Sequence, residues 1–235
     1  MNVGLNLKVD HAVFESSRVD KFCVAMLEWY EKHGRQYLWR LQKDPYKILV
    51  AEIMLQQTNA DKVEPVYTEF INKFPDSKTL AQSDMQDLKE ALKPLGLEYR
   101  GARLKDIAQK LVMEHDGKVP STEEGLKALP GVGQYIANAV LCFAYSERMA
   151  LVDVNVIRLY SRVFGIQSHK KRPRDDKEVW VFATKMLPEV NFREYNFALI
   201  DFSAQICTLK KPRCSQCPIS TICLYYDISS QTDGN

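Results

Sequence analysis

The sequence of 235 residues lacks a long apolar run, a marked excess of one charge and any low-complexity segment. Its best apolar stretch, 48–55, is interrupted by Glu52 and is much shorter than the ~18 residues of a membrane-spanning helix. The first twenty residues carry several charges, so no secretory signal is predicted. Lysine and arginine number 32 against 30 aspartates and glutamates, so net charge neither supports nor excludes a nucleic-acid partner. These absences favour a protein of the reducing cytosol.

Regular apolar–polar alternation between turns, typical of strands, is also missing, and helical signals dominate. Pro45 marks the start of a predicted helix that covers about 47–58. Asp153 precedes a second predicted helix, which ends before Gly165. The β-branched residues of 151–159 are also compatible with a strand. Taken together, the pattern predicts an all-α protein.

Four cysteines stand close together near the end of the sequence, with the spacing C-x6-C-x2-C-x5-C. Disulfides between cysteines this close in sequence would close only short loops and would be strained. Zinc also accepts four thiolates, but zinc ribbons usually have two C-x2-C pairs separated by a longer stretch. One C-x2-C pair inside a compact run favours a [4Fe–4S] cluster, with zinc or free structural thiols as alternatives. The predicted ligands are Cys207, Cys214, Cys217 and Cys223.

A second motif, Leu-Pro-Gly-Val-Gly at 129–133, lies between two predicted helices. Its two glycines permit a tight turn with positive φ and leave backbone N–H groups uncovered. The next helix begins at once, so its dipole and free N–H groups also favour an anion. Gly131, Val132, Gly133 and Gln134 are therefore candidate contacts to a DNA phosphate. The alternative is a helix–helix connector that binds nothing.

Three motifs follow one another along the chain: this hairpin, the segment Val-Asp-Val-Asn-Val-Ile-Arg at 152–158, and the four cysteines. Together they resemble the helix-hairpin-helix DNA glycosylase superfamily, which includes endonuclease III and the adenine mispair glycosylases. The resemblance covers about 39–226. It implies a base-excision repair enzyme that flips a nucleotide out of the duplex and cuts its N-glycosidic bond. Its partner would be double-stranded DNA with a mispaired or damaged base, bound by a monomer.

The family fold has two all-α lobes. The resemblance places a six-helix lobe with the hairpin at 45–148 and the catalytic acid and cluster in a lobe at 149–227, with which the segment 1–44 packs. A flexible tail is predicted at 228–235. DNA is expected to lie across both lobes, with the catalytic cleft between them. Such a protein would work in the cytoplasm and associate with the nucleoid through its DNA.

The family's catalytic acid falls on Asp153. Breaking the bond between base and sugar builds positive charge on the sugar, and an anion about 4 Å away stabilises it by roughly 4 kcal/mol at an effective dielectric of ~20. The same carboxylate can orient or deprotonate the attacking water. Asp153 is also placed to cap its helix. Asn155 could hold the acid or the water, or be a plain surface residue.

Tyr135 bears on the type of reaction. In the endonuclease III branch the matching residue is a lysine, whose amine attacks the sugar and leads to strand cleavage through a Schiff base. A phenol cannot form an imine. The resemblance therefore implies a monofunctional glycosylase, and a bifunctional glycosylase/lyase on oxidised pyrimidines is a remoter alternative. Tyr135 could also be only a half-buried helix residue.

The target base is predicted from conflicting segments. Tyr135 and the segment 201–204 resemble the thymine glycosylases that excise T or U opposite G, and little chain follows Cys223 for the further domain usual in adenine enzymes. Glu-Ile-Met-Leu-Gln-Gln-Thr at 52–58 instead resembles the adenine branch, in which the glutamate protonates the base and the glutamines wedge into the base stack. We predict T or U opposite G, with A opposite G or 8-oxoguanine as the alternative.

Glu52, Gln56 and Gln57 are the candidate residues of this segment. A carboxyl in an apolar helix has a raised pKa if it is buried, and could then protonate a leaving base. Glu52 could instead be a partly exposed structural carboxylate, and Gln57 a polar residue at a helix end. The segment 99–101 falls where the family places a loop near the opposite strand, and either an aromatic wedge, an arginine–phosphate contact or an ordinary turn is expected there.

Two further classes of protein are compatible with parts of the pattern. A non-catalytic damage-binding protein would need neither Asp153 nor Glu52, so their presence favours an enzyme. An electron carrier is suggested by the cysteines alone, but would not need a large helical scaffold with a hairpin. In the family the cluster shapes a loop whose basic residues can meet phosphate, which here would be Lys210, Lys211 and Arg213.

Overall fold

The computed structural model describes residues 16–96 and 98–227. All regular elements in these ranges are helices, which confirms the all-α prediction. The predicted tail at 228–235 and the first fifteen residues of the N-terminal segment lie outside the described residues. The α-helices of the described ranges are α1 (Ser16–His33), α2 (Pro45–Leu55), α3 (Ala60–Lys73), α4 (Ser77–Gln82), α5 (Met85–Leu92), α6 (Glu98–His115), α7 (Glu123–Lys127), α8 (Gln134–Ala144), α9 (Val154–Phe164), α10 (Lys177–Lys185) and α11 (Phe192–Gln205).

The chain divides into two compact units. One contains the described residues up to Arg35 together with those from Ala150 onward, and the other spans Gln36–Met149. Within 16–96 and 98–227, no helix is both long and apolar enough to cross a membrane.

The unit Gln36–Met149 is organised around α2, which packs against α3, α6 and α8. Asp44 caps α2 by accepting hydrogen bonds from the backbone N–H groups of Tyr46 and Lys47, and Pro45 occupies the first turn, where its missing N–H costs nothing. Most residues of α2 are buried, as its largely apolar sequence requires, and Glu52 is buried among them. The helix ends at Leu55 and not at 58 as predicted, because the two residues that follow have non-helical backbone angles.

The other unit is built from α1 and α9–α11. Helix α1 packs along α11, and aromatic side chains fill the space between the helices. The rings of Phe22 and Phe164 meet edge to face with centroids 5.1 Å apart, and those of Trp29 and Phe202 with centroids 5.2 Å apart. These contacts join the N-terminal helix to α9 and to α11, the helix that precedes the four cysteines.

Asp201 lies in this core with no exposed side-chain surface. Its two carboxylate oxygens accept hydrogen bonds from Arg35, from Nε and Nη2 at 2.8 and 2.7 Å and from the backbone N–H at 2.8 Å. A buried carboxylate needs such partners, because removal from water is otherwise costly. Asp201 therefore stabilises the junction between the end of α1 and α11.

Candidate active site and DNA interface

The hairpin at 129–133 joins α7 to α8, as predicted, but its glycines have different roles. Gly131 has a φ of +74°, and a Cβ atom there would lie 2.5 Å from Nε of Arg103. The positive φ of the turn favours glycine at 131, and the side chain of Arg103 would have to move if a Cβ were present there. Gly133 has a φ of −98°, and a Cβ there would meet nothing within 4 Å. The turn with positive φ that the two glycines permit is therefore made at Gly131, while Gly133 has an extended backbone.

Gly133 is the N-cap of α8 and offers no side chain to its first N–H groups. These groups and the positive end of the helix dipole form a place where an anion is stabilised. Gln134 is held beside it, since its Nε2 donates to Asn138 at 2.9 Å and its Oε1 accepts from Nζ of Lys127 at 3.1 Å. Tyr135 follows and is half-buried.

The turn after α2 presents the two candidate glutamines differently. Gln56 is half-buried, and its Nε2 donates to the carbonyl oxygen of Gly131 at 3.4 Å. Gln57 is exposed and has a φ of +58°, a left-handed conformation that non-glycine residues adopt rarely. Strained backbone of this kind often marks a functional position.

Arg100 was predicted in a loop near DNA, as a phosphate contact or part of a turn, and this was wrong. It lies in α6 and is only 1% exposed. Its guanidinium donates to carbonyl oxygens at the end of α2, among them that of Met54 at 2.7 Å. Its neighbour Tyr99, by contrast, is exposed over more than half of its surface.

Glu52 lies in the middle of α2 and is 7% exposed. Burial raises the pKa of its carboxyl to about 7, and the positive charge of Arg40 opposes part of this rise. A large fraction of Glu52 is therefore protonated at neutral pH, as a general acid requires. The expectation of a partly exposed structural carboxylate is not met.

Asp153 is the N-cap of α9. Its Oδ1 accepts from the backbone N–H groups of Asn155 and Val156 at 2.9 and 2.7 Å, and its Oδ2 accepts from Nδ2 of Asn155 at 2.8 Å. The predicted capping role is confirmed, and the β-branched segment is helical from Val154 to Phe164. Three donors fix the orientation of the carboxylate while it stays partly accessible.

An arginine one turn into α9 extends this arrangement. Nη1 of Arg158 donates to Oδ1 of Asn155 at 2.8 Å, which leaves the amide nitrogen of Asn155 to face Asp153. The same guanidinium donates through Nη2 to the carbonyl oxygens of Ser203 and Cys207, both at 2.8 Å. Arg158 thus connects the candidate acid to the backbone of the first cysteine.

The four predicted cysteine ligands line one cavity beside α9, and all are free thiols. The other walls of this cavity include Val163, Phe202 and Ile219. Arg162 lies beside it, with Nη1 3.4 Å from Sγ of Cys207. Among the residues that the structure describes, no three His, Cys, Asp or Glu side chains are close enough together to hold a single metal ion.

This donor set fits an iron–sulfur cluster. A [4Fe–4S] cluster takes one thiolate on each of four irons, so the four sulfurs need only surround a common space. Burial raises the pKa of Cys214, Cys217 and Cys223, that of Cys217 to about 12, so the metal-free protein holds them as thiols. Metal binding would have to release these protons, as is general for cysteine sites.

Comparison with known proteins places this geometry in a family. The sequence profile of the HhH-GPD superfamily base excision DNA repair proteins matches residues 50–182, which include the hairpin and Asp153. The chain belongs to this superfamily. The resemblance that the hairpin, the segment 152–158 and the cysteines indicated is thereby confirmed.

Individual HhH-GPD relatives are also similar over most of the chain. A protein of Pyrobaculum aerophilum named Thymine/uracil-DNA glycosylase is 39% identical, over 88% of this chain and 92% of its own length. A human protein named Adenine DNA glycosylase is 32% identical over 91% of this chain but only 41% of its own length. The solved structure of a thermostable thymine-DNA glycosylase superposes with a TM-score of 0.86 at 32% identity, covering 91% of this chain and 98% of that one.

Sequence reasoning missed Arg103 and Arg158, and misplaced Arg100. Each acts through a guanidinium that bonds carbonyl groups or an amide distant in sequence, so its own neighbours gave no signal. The capping pattern at Asp153 and the cysteine spacing are local, and both were visible in the sequence.

Proposed function

We propose that the chain is a monofunctional DNA glycosylase that removes T or U mispaired with G. The observation that carries this proposal is the 39% identity to a Thymine/uracil-DNA glycosylase over nearly the whole of both chains. Tyr135 supports it, since a phenol cannot form the imine that strand cleavage requires. The protein would act as a monomer, in the cytoplasm, on the DNA of the nucleoid.

DNA binding is assigned to the hairpin and to the turn after α2. The backbone N–H groups of Gly133 and Gln134 would hold one phosphate at the beginning of α8, beside that of Val132, which already donates to the carbonyl oxygen of Leu129 at 3.2 Å. The exposed side chain of Gln57 would enter the base stack where the target nucleotide leaves it. Both elements belong to the unit Gln36–Met149.

The chemistry is assigned to two carboxyl groups in different states of charge. Asp153, held by three hydrogen bonds, would stabilise the positive charge that develops on the sugar and orient the attacking water. Glu52, protonated because it is buried, would donate a proton to the leaving base. The products would be a free base and an abasic site, with the DNA strand uncut.

We assign a [4Fe–4S] cluster to Cys207, Cys214, Cys217 and Cys223, which line one cavity. When bound, it would fix the fold of the loop between the cysteines. Lys210, Lys211 and Arg213, all exposed on that loop, would then bind phosphate. Iron and sulfide analysis of the purified parent protein and of Cys217→Ser tests this assignment. We expect four irons per molecule in the parent and loss of iron in the variant. Stoichiometric zinc in the parent would contradict the assignment.

A second candidate is an adenine glycosylase. It is favoured by the segment Glu52–Thr58 and by the 32% identity to the human Adenine DNA glycosylase. A buried, protonated Glu52 suits a purine leaving group equally well. The two candidates differ in the mispair from which a base is released.

Asp153→Asn tests whether the chain is an enzyme of this kind. Asparagine keeps an acceptor for the helix cap but removes the negative charge, so we expect unchanged DNA affinity and a rate of base release lower by roughly a hundredfold or more. Asp175→Asn, an exposed aspartate of the same unit, is the matched control and should keep its rate. Full activity of Asp153→Asn would contradict the mechanism.

A further inference from the structure

Arg100 and Arg103 lie one turn apart on α6 and both reach the turn that follows α2. Nη1 of Arg100 donates to the carbonyl oxygen of Met54 at 2.7 Å and to Oγ1 of Thr58 at 3.1 Å, and its Nη2 donates to the carbonyl oxygen of Gln56. The last carbonyls of a helix have no partner within it. A buried arginine here satisfies them and also interacts favourably with the negative end of the helix dipole.

The hydrogen bonds of Arg100 reach the residues on both sides of Gln57, which has unusual backbone angles. Gln56 and Thr58 flank Gln57, whose φ is +58°. This conformation costs a non-glycine residue roughly 1–2 kcal/mol, so it persists only where neighbouring contacts fix it. Arg100 supplies those contacts on both sides of Gln57 and leaves the Gln57 side chain exposed.

Arg103 links the same turn to the hairpin. Its Nη1 donates to Oε1 of Gln56 at 2.9 Å, and Nε2 of Gln56 donates to the carbonyl oxygen of Gly131 at 3.4 Å. The guanidinium end of Arg103 lies so close to Gly131 that a Cβ there would be 2.5 Å from Nε. Gln56 is therefore held between an arginine and the phosphate-binding hairpin.

We propose that Arg100 and Arg103 are positioning residues that hold Gln57 at a fixed distance from the phosphate-binding hairpin. Arg100 fixes the backbone of the turn, and Arg103 fixes the turn to Gly131 through Gln56. A side chain that replaces a flipped base in the stack must lie at a fixed position relative to the bound phosphate. A displacement of that side chain by about 1 Å can lower the reaction rate by a large factor. The inference rests on the proposed glycosylase function and assigns neither arginine to the chemistry.

A double-mutant cycle between Arg103→Met and Gln57→Ala tests the inference. Methionine keeps the apolar stem but cannot donate to Gln56. Two quantities are measured with saturating protein: single-turnover base release from a T·G duplex, and the fluorescence of 2-aminopurine next to the mispair, which reports unstacking. Lys110→Met, which removes the charge of a partly exposed lysine that pairs with Glu114 on the same helix, is the matched control.

We expect Arg103→Met to slow base release by about tenfold and to reduce the fluorescence rise, while Lys110→Met stays within about twofold of the parent. The double variant should be no slower than the slower single variant, because both changes disable the same side chain. Arg100→Lys cannot make all the hydrogen bonds of a guanidinium, so the folded variant should have the same phenotype. The cycle with Arg103→Met tests the inference independently of whether Arg100→Lys folds.

Two results would overturn the inference while leaving the glycosylase intact: an unchanged Arg103→Met, or rate losses that multiply in the double variant. If the parent releases adenine instead, the same cycle is run on that mispair. A parent that unstacks and releases no base would contradict the proposed function, and this inference with it.

Discussion

Asn155 donates a hydrogen bond from its side-chain nitrogen to Oδ2 of Asp153 at 2.8 Å. Its amide oxygen accepts from Arg158 at 2.8 Å, so the amide has a defined orientation. Arg158 in turn donates to the carbonyl oxygen of Cys207. The direction of the candidate catalytic carboxylate is therefore set by a chain of bonds that begins at the first cysteine.

Asn155→Ala should slow base release without weakening DNA binding. Loss of one hydrogen bond to a charged group costs about 1.5–3 kcal/mol, which corresponds to a rate lower by roughly tenfold to a hundredfold. The measurement is single-turnover base release together with affinity by fluorescence anisotropy. Asn155→Asp, which has the same size but places a second carboxylate beside Asp153, should be at least as slow. A normal rate in either variant would show that Asn155 does not orient the acid.

Tyr135→Lys should acquire some strand-cleaving activity. A lysine amine at the second position of α8 could attack the sugar and form an imine, which borohydride converts to a stable protein–DNA adduct. The parent protein is the control and should give no adduct. If the variant binds DNA normally but cannot be trapped, residue 135 does not face the sugar.

Base release should fall as the pH rises through about 7. Glu52 has a pKa of about 7, and the protonated fraction that can donate to the leaving base decreases tenfold per pH unit above it. Glu52→Gln cannot donate at any pH, so it should be slow and should lack this decrease. The check is a pH profile of single-turnover rates for both proteins; equal profiles would rule out Glu52 as the acid.

The same carboxyl makes stability depend on pH. Its folded pKa of about 7 lies above the ordinary value of 4.5, so between these values the folded protein keeps a proton that the unfolded chain has lost. The free energy of unfolding should therefore fall as pH rises from about 4.5 to 7, by up to roughly 3 kcal/mol. Denaturant titrations should find this contribution missing in Glu52→Gln, which should also be the more stable protein at pH 8.

Asp201→Asn should destabilise the protein strongly. It removes the negative charge of a fully buried carboxylate that pairs with the partly exposed Arg35 at 2.7 Å, and loss of a hydrogen bond between charged groups costs about 1.5–3 kcal/mol. Asp87→Asn removes the exposed partner of Lys73 at 2.9 Å and should cost less than about 1 kcal/mol. Chemical denaturation of both variants measures the difference, and similar losses would show that the Asp201 pair is not structural.

Local signals predicted much of this fold, and long-range contacts explain what they missed. Asp153, a helix N-cap two residues before Asn155, could be identified because capping involves neighbours in sequence. The end of α2 could not, because it depends on Arg100, which lies over forty residues away and satisfies the terminal carbonyls from another helix. Glu52 could be named from its apolar neighbours, but its pKa depends on how completely other helices cover it.

The most direct test of the proposed function is base release from labelled duplexes that contain T·G, U·G, A·G, A·8-oxoguanine or thymine glycol, each analysed with and without hot alkali. We expect strand cutting at T·G and U·G only after alkali, since the enzyme would leave an intact strand with an abasic site. Cutting at the adenine mispairs instead would show that Glu52–Thr58 determines specificity. Cutting without alkali would contradict the monofunctional mechanism.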